Sequence, residues 1–89
     1  YHNNEYRETI AYATEILSEN PKDITALQLR GDSYLALVKS WGYSEELSNA
    51  EKDFIKLIEL DQHDDFALAK RGAIEYGRKK IDTAVQLLD

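Results

Sequence analysis

The chain contains no cysteine and no methionine, a single proline (Pro21) and only four glycines in 89 residues. Without cysteine there is no disulfide framework and no thiolate to act as nucleophile or metal ligand, so packing alone must hold the fold. Long apolar runs are missing too. The longest strong one, Tyr34 to Val38, is far short of the about 20 residues a helix needs to cross a bilayer. No signal peptide is visible, and a chain that starts at tyrosine without a methionine is expected to be a piece of a longer protein. Positive charge is in deficit: 11 Lys and Arg against 17 Asp and Glu leave a net charge of −6, which argues against a nucleic-acid surface. The one basic cluster, Arg78 to Lys80, falls at an expected helix end, where cations suit the helix dipole. No segment alternates like a strand between hairpin turns, and no glycine-rich phosphate loop is present. None of these absences points to a compartment.

What is present is an internal repeat. "ALQLRG" at Ala26–Gly31 recurs as "ALAKRG" at Ala67–Gly72, an offset of 41 residues. The preceding segments, Glu15–Thr25 and Lys56–Phe66, correspond at the same offset, with Asp23 over Asp64, Ile16 over Leu57 and Leu17 over Ile58. Further on, "LSNAEKDF" at Leu47–Phe54 lies over "IDTAVQLL" at Ile81–Leu88, which puts Ala50 on Ala84 at an offset of 34. One unit of about 34 residues, interrupted once by seven more, explains both offsets. The extra residues fall between Tyr34 and Leu47, where the only tryptophan, Trp41, and Tyr43 sit.

Apolar spacing predicts five helices, at about Glu5–Glu19, Ile24–Val38, Ser44–Leu60, Asp65–Arg78 and Lys80–Asp89. Leu47, Ala50, Phe54, Leu57 and Ile58 make the clearest apolar stripe; Leu68, Gly72 and Tyr76 continue the pattern less cleanly along the fourth helix. Pro21 cannot continue the first helix and biases Asn20 away from helical angles. Asp23, Asp64 and Ser44 are expected N-caps, because a short side-chain oxygen accepts from free amides of the first turn.

These residues resemble a tetratricopeptide (TPR) repeat array. Leu27, Arg30, Gly31 and Tyr34 stand where the family's first helix carries large, apolar, small and aromatic residues. Ala50, Phe54 and Leu57 stand at its second helix; Leu68, Gly72 and Ala84 fit the next copy; Tyr6, Ala13, Ile16 and Pro21 fit the second helix and closing proline of a preceding one. Gln62 replaces a closing proline, Glu75 an aromatic, and Thr9 and Leu57 are larger than usual. The resemblance implies an all-α fold, antiparallel helical hairpins stacked as a short TPR-like right-handed solenoid. Residues 1–23 would be the second helix of a partial repeat, 24–64 a full repeat with an insert near 38–46, and 65–89 an incomplete last repeat. Gly31 and Gly72 would each let a helix approach its hairpin partner, with Ala50 and Ala84 opposite. Like surroundings for the two glycines are the sharpest requirement of the repeat.

The implied function is a non-catalytic protein–protein interaction module, with no cofactor and no metal. Its concave groove would use Thr25, Gln28, Asp32, Leu35, Phe66, Ala69, Ala73 and Tyr76 to bind a peptide or helix of a partner. Phe66 and Tyr76 are either the apolar anchors of that groove or packing residues. Trp41 and Tyr43 either cap the hairpin or contact a partner. The lysine and asparagine clamp by which some TPR domains hold a C-terminal carboxylate is not expected. Its places hold Gln28, Leu29, Asp32, Phe66 and Lys70, and Asp32 repels a carboxylate. The acidic balance points to a partner with basic character. Self-assembly through the end helices is the alternative; an enzyme is the remote third.

Bland readings cover the other constellations. His63, Asp64 and Asp65, beside Asp61, read as a turn with an N-cap rather than a metal site. Arg30-Gly31-Asp32 lies within a helix, which removes an adhesion reading.

Overall fold

The computed structural model describes residues 3–39 and 44–88. Four helices follow one another: α1 (Asn3–Glu19), α2 (Ile24–Ala36), α3 (Glu45–Leu60) and α4 (Asp65–Leu88). No strand occurs among the described residues, so the fold is all-α, as expected. Trp41 and Tyr43 lie outside the described residues.

The helix starts follow the capping chemistry of the sequence. Asp23 Oδ1 accepts from the Ala26 amide at 2.9 Å, Ser44 Oγ from Leu47 at 3.2 Å, and Asp64 Oδ1 from Ala67 at 3.0 Å. Each satisfies an amide that the helix itself leaves free. Helix α1 closes where Pro21 forbids continuation, and Asp61 Oδ1 accepts from the His63 amide at 2.9 Å in the turn before α4. Asp61 and Asp64 are thus turn and cap residues.

One expectation fails at the C-terminal end. Instead of two helices split at residue 79, α4 runs unbroken for 24 residues. The weak point next to the expected break, Gly77, costs about 1 kcal/mol in a helix interior, and Arg78, Lys79 and Lys80 after it are strong helix formers. Arg78 also donates through Nη1 to both carboxylate oxygens of Glu51 on α3, at 2.9 and 3.0 Å, which holds the segment after Gly77 in line. At 1.5 Å per residue α4 is roughly 36 Å long, against roughly 24 Å for α3.

Consecutive helices pack together: α1 on α2, α2 on α3, α3 on α4. The core comprises Ala13 and Leu17 of α1, Ala26 and Leu27 of α2, Leu47, Ala50, Phe54 and Leu57 of α3, and Ala67 and Ile74 of α4. Phe54 is its pivot. It is fully buried; its ring meets Phe66 edge-on, with centroids 6.0 Å apart, and lies so close to Gly31 that a Cβ there would sit 2.7 Å from Phe54 Cε1. Only a glycine lets α2 and α3 approach this closely around a phenylalanine ring.

The inward stripe of α4 differs from the expected one. Ala67 and Ile74 are fully buried, whereas Leu68 is 44% and Tyr76 70% exposed and Gly72 has nothing within 4 Å of a Cβ position. Gly31 and Gly72 therefore have unlike surroundings, contrary to the sharpest requirement of the repeat. The reason lies in how many neighbours each helix has. Helix α2 buries two lines of residues, Ala26 with Ser33 and Leu27 with Gly31, because it is packed by α1 on one side and α3 on the other. Helix α4 packs mainly on α3, with the Lys70–Asp32 salt bridge as its tie to α2, and its fully buried residues are those of the first line, Ala67 and Ile74, the counterparts of Ala26 and Ser33 at the same offset of 41. Among the described residues no helix covers its second line.

Candidate functional site

Helical spacing puts Thr25, Gln28, Leu29 and Asp32 on one face of α2, and Phe66, Ala69, Lys70 and Ala73 on one face of α4. A salt bridge joins the two faces, Lys70 Nζ to Asp32 Oδ1 at 3.1 Å. The same ammonium lies 5.4 Å from the centroid of the Phe66 ring, within cation–π range. The salt bridge brings Asp32 and Lys70 together; the other residues expected to line a groove share a face of α2 or of α4 and differ in their states.

Thr25, Ala69, Ala73 and Tyr76 are exposed. Gln28 and Asp32 are half-buried, and Asp32 is engaged by Lys70 rather than free. Leu35 and Phe66 are half-buried and pack against the core. Of the two aromatic anchors considered, Phe66 is therefore mainly a packing residue and Tyr76 the one that offers its ring to solvent. Lys70, the single cation at the places of the carboxylate clamp, already has a carboxylate on Asp32 and a ring on Phe66.

The feature that sequence reasoning missed is a polar latch under the core. Asp53 is buried, its side chain 4% exposed, and takes a two-point grip from Arg30: Nε to Oδ2 at 2.9 Å and Nη2 to Oδ1 at 2.7 Å. Arg30 Nη1 also donates to Thr14 Oγ1 at 3.3 Å, so one guanidinium ties α1, α2 and α3 together. The Asp53 hydrogen bonds hold the guanidinium above its ordinary pKa; partial burial works against them and the Asp53 charge with them. The signal in the sequence is an aspartate among the inward positions of α3, one residue before Phe54. Bidentate pairing with arginine is how such a carboxylate tolerates burial.

Among the described residues, no group of three or more His, Cys, Asp or Glu side chains is placed to hold a metal ion. None of their helices is long and apolar enough to cross a membrane. Comparison with protein-family models, with curated proteins and with solved structures found no match.

Proposed function

We propose that this chain is a non-catalytic, TPR-like interaction module that binds a peptide or helix of a partner protein across the α2–α4 surface. The observation that carries the reading is the exposed Tyr76 ring beside the small residues Ala69 and Ala73, which leave room for a docked backbone. A rigid aromatic at the edge of a small-residue floor is the kind of anchor on which peptide recognition concentrates its energy. The TPR comparison is supported by the matched caps Asp23 and Asp64 and by the burial of both Ala26 and Ala67 at the 41-residue offset. The unlike surroundings of Gly31 and Gly72 count against a strict repeat, so the reading keeps only the TPR-like caps and spacing.

Selection of a displayed peptide library on the intact chain tests the reading. Selected peptides are expected to lose binding to Tyr76→Ala and Ala73→Arg, both at exposed positions, with the thermal transition unchanged. Recovery of no peptide, or of peptides indifferent to both changes, refutes it.

A second reading, self-assembly through the end helices, draws on a different observation. The uncovered line Leu68–Gly72 on α4 corresponds to Leu27–Gly31, which α3 covers on α2. Sedimentation across a concentration series separates the two: association abolished by Gly72→Arg favours assembly, and a persistent monomer removes it.

A further inference from the structure

A cleft of about 440 Å³ opens where the end of α1 meets α2 and α3. Apolar atoms of Leu17, Pro21 and Leu27 line it, and Arg30, Lys52, Asp53 and Lys56 supply its charge. Arg30 and Asp53 neutralise one another through their two-point pair. The charge left over is that of Lys52 and Lys56.

These two lysines stand four residues apart on α3, a spacing at which like charges repel and weaken a helix. Little on the protein relieves them. The ion-pair partner of Lys56 is Glu59 at 3.8 Å, a side chain 62% exposed, and Lys52 has no ion pair among the described residues. In a chain of net charge −6, an apolar cleft rimmed by one unpaired and one loosely paired cation runs against the overall sign. A volume of this size suits one large side chain of a bound segment and its neighbour.

We propose that this cleft binds an acidic protein segment, seating a large apolar side chain on Leu17, Pro21 and Leu27 and a neighbouring carboxylate between Lys52 and Lys56. The anion relieves the repulsion between the lysines, and their aliphatic stems extend the apolar contact. The cleft involves other residues than the α2–α4 surface, so each proposal can fail without the other.

Amide shifts of the intact chain, titrated with a blocked tetrapeptide of alternating glutamate and leucine, test it. Binding of about millimolar strength is expected, as for a short peptide making few contacts. Shifts should centre on Thr14, Ser18, Lys52 and Lys56 and spare Ala69 and Tyr76. The double variant Lys52→Gln/Lys56→Gln should weaken the peptide about tenfold, while Lys39→Gln, an exposed cation elsewhere, leaves it unchanged. The glutamine–leucine counterpart should bind more weakly, and salt should narrow the gap between the two peptides. No shift, shifts confined to α4, equal binding of the counterpart, or equal loss in Lys39→Gln overturns the proposal. Inorganic phosphate reproducing the same shifts at the same strength overturns it as well, since the apolar floor would then contribute nothing.

Discussion

Two copies of nearly the same hexapeptide have different fates in this protein. In "ALQLRG" on α2, Leu27 is buried, Arg30 grips Asp53, and Gly31 lies against Phe54. In "ALAKRG" on α4, Leu68 is half in solvent and Gly72 faces open space. Arg71 Nε makes no hydrogen bond, its nearest carboxylate being Glu75 at 3.8 Å. Only the first alanine of each copy, Ala26 and Ala67, is buried alike. The local sequence therefore specifies helix and cap in both places, but what each face does depends on whether a second helix lies opposite. For α2 that helix is α3; for α4 the residues after Gly77 extend the same helix and cannot fold back over it.

The largest expected consequence is at the aromatic pivot. Phe54→Ala should cost about 3–5 kcal/mol in urea unfolding followed by circular dichroism, since it removes a ring enclosed by α2, α3 and α4. Between the copies themselves, Leu27→Ala should cost about 2–4 kcal/mol and its counterpart Leu68→Ala under about 1 kcal/mol, because Leu27 is buried and Leu68 is 44% exposed. Equal costs would erase the difference between the copies.

The arginines come next. Asp53→Ala strands Arg30, whose side chain is only 22% exposed, and should cost about 3 kcal/mol, the lower end of the range for one-sided loss of a buried pair. Glu75→Ala should stay within about 0.5 kcal/mol, because its pair with Arg71 is long and exposed. The Arg30 pKa is raised on folding, so that residue's contribution is full below its unfolded pKa and is lost only as pH rises through the folded one. The wild-type minus Asp53→Ala stability difference should therefore be flat between about pH 7 and pH 10, below the arginine range. A decline across that window would mean that something other than the guanidinium is the partner.

The caps give the smallest effect and the control. Asp23→Ala and Asp64→Ala should each cost about 1 kcal/mol in the same unfolding experiment, because the two copies are capped alike at 2.9 and 3.0 Å. A marked inequality would show that the copies differ in local structure as well as in surroundings.

How much of this was legible in the sequence follows the same division. Caps, the proline stop and the apolar stripe of α3 depend on neighbours within a few residues, and they appear where spacing and capping chemistry put them. The stripe of α4 was misassigned because Leu68, Gly72 and Tyr76 look inward only by analogy with α2. Ile74, fully buried, keeps helical spacing with Ala67 and was available to the eye. The unbroken α4 turns on Gly77 against three helix-forming residues and the Arg78–Glu51 pair, a tertiary contact that no local pattern announces. The Arg30–Asp53 latch was hidden for the same reason: its partners are 23 residues apart. Of the expected groove, helical spacing gave the shared faces of α2 and of α4, while the pairing of Asp32 with Lys70 and the packing of Phe66 needed coordinates.

The central claim, that one glycine is held against a partner helix and its counterpart is not, is tested most directly by replacing each with alanine and comparing urea midpoints. Gly31→Ala should destabilise by about 1–3 kcal/mol, because the new Cβ presses on a Phe54 ring that has no room to withdraw. Gly72→Ala should stabilise by up to about 1 kcal/mol, the ordinary gain of alanine over glycine in an uncovered helix. Opposite signs are the predicted result; the same sign and size at both positions would contradict the account.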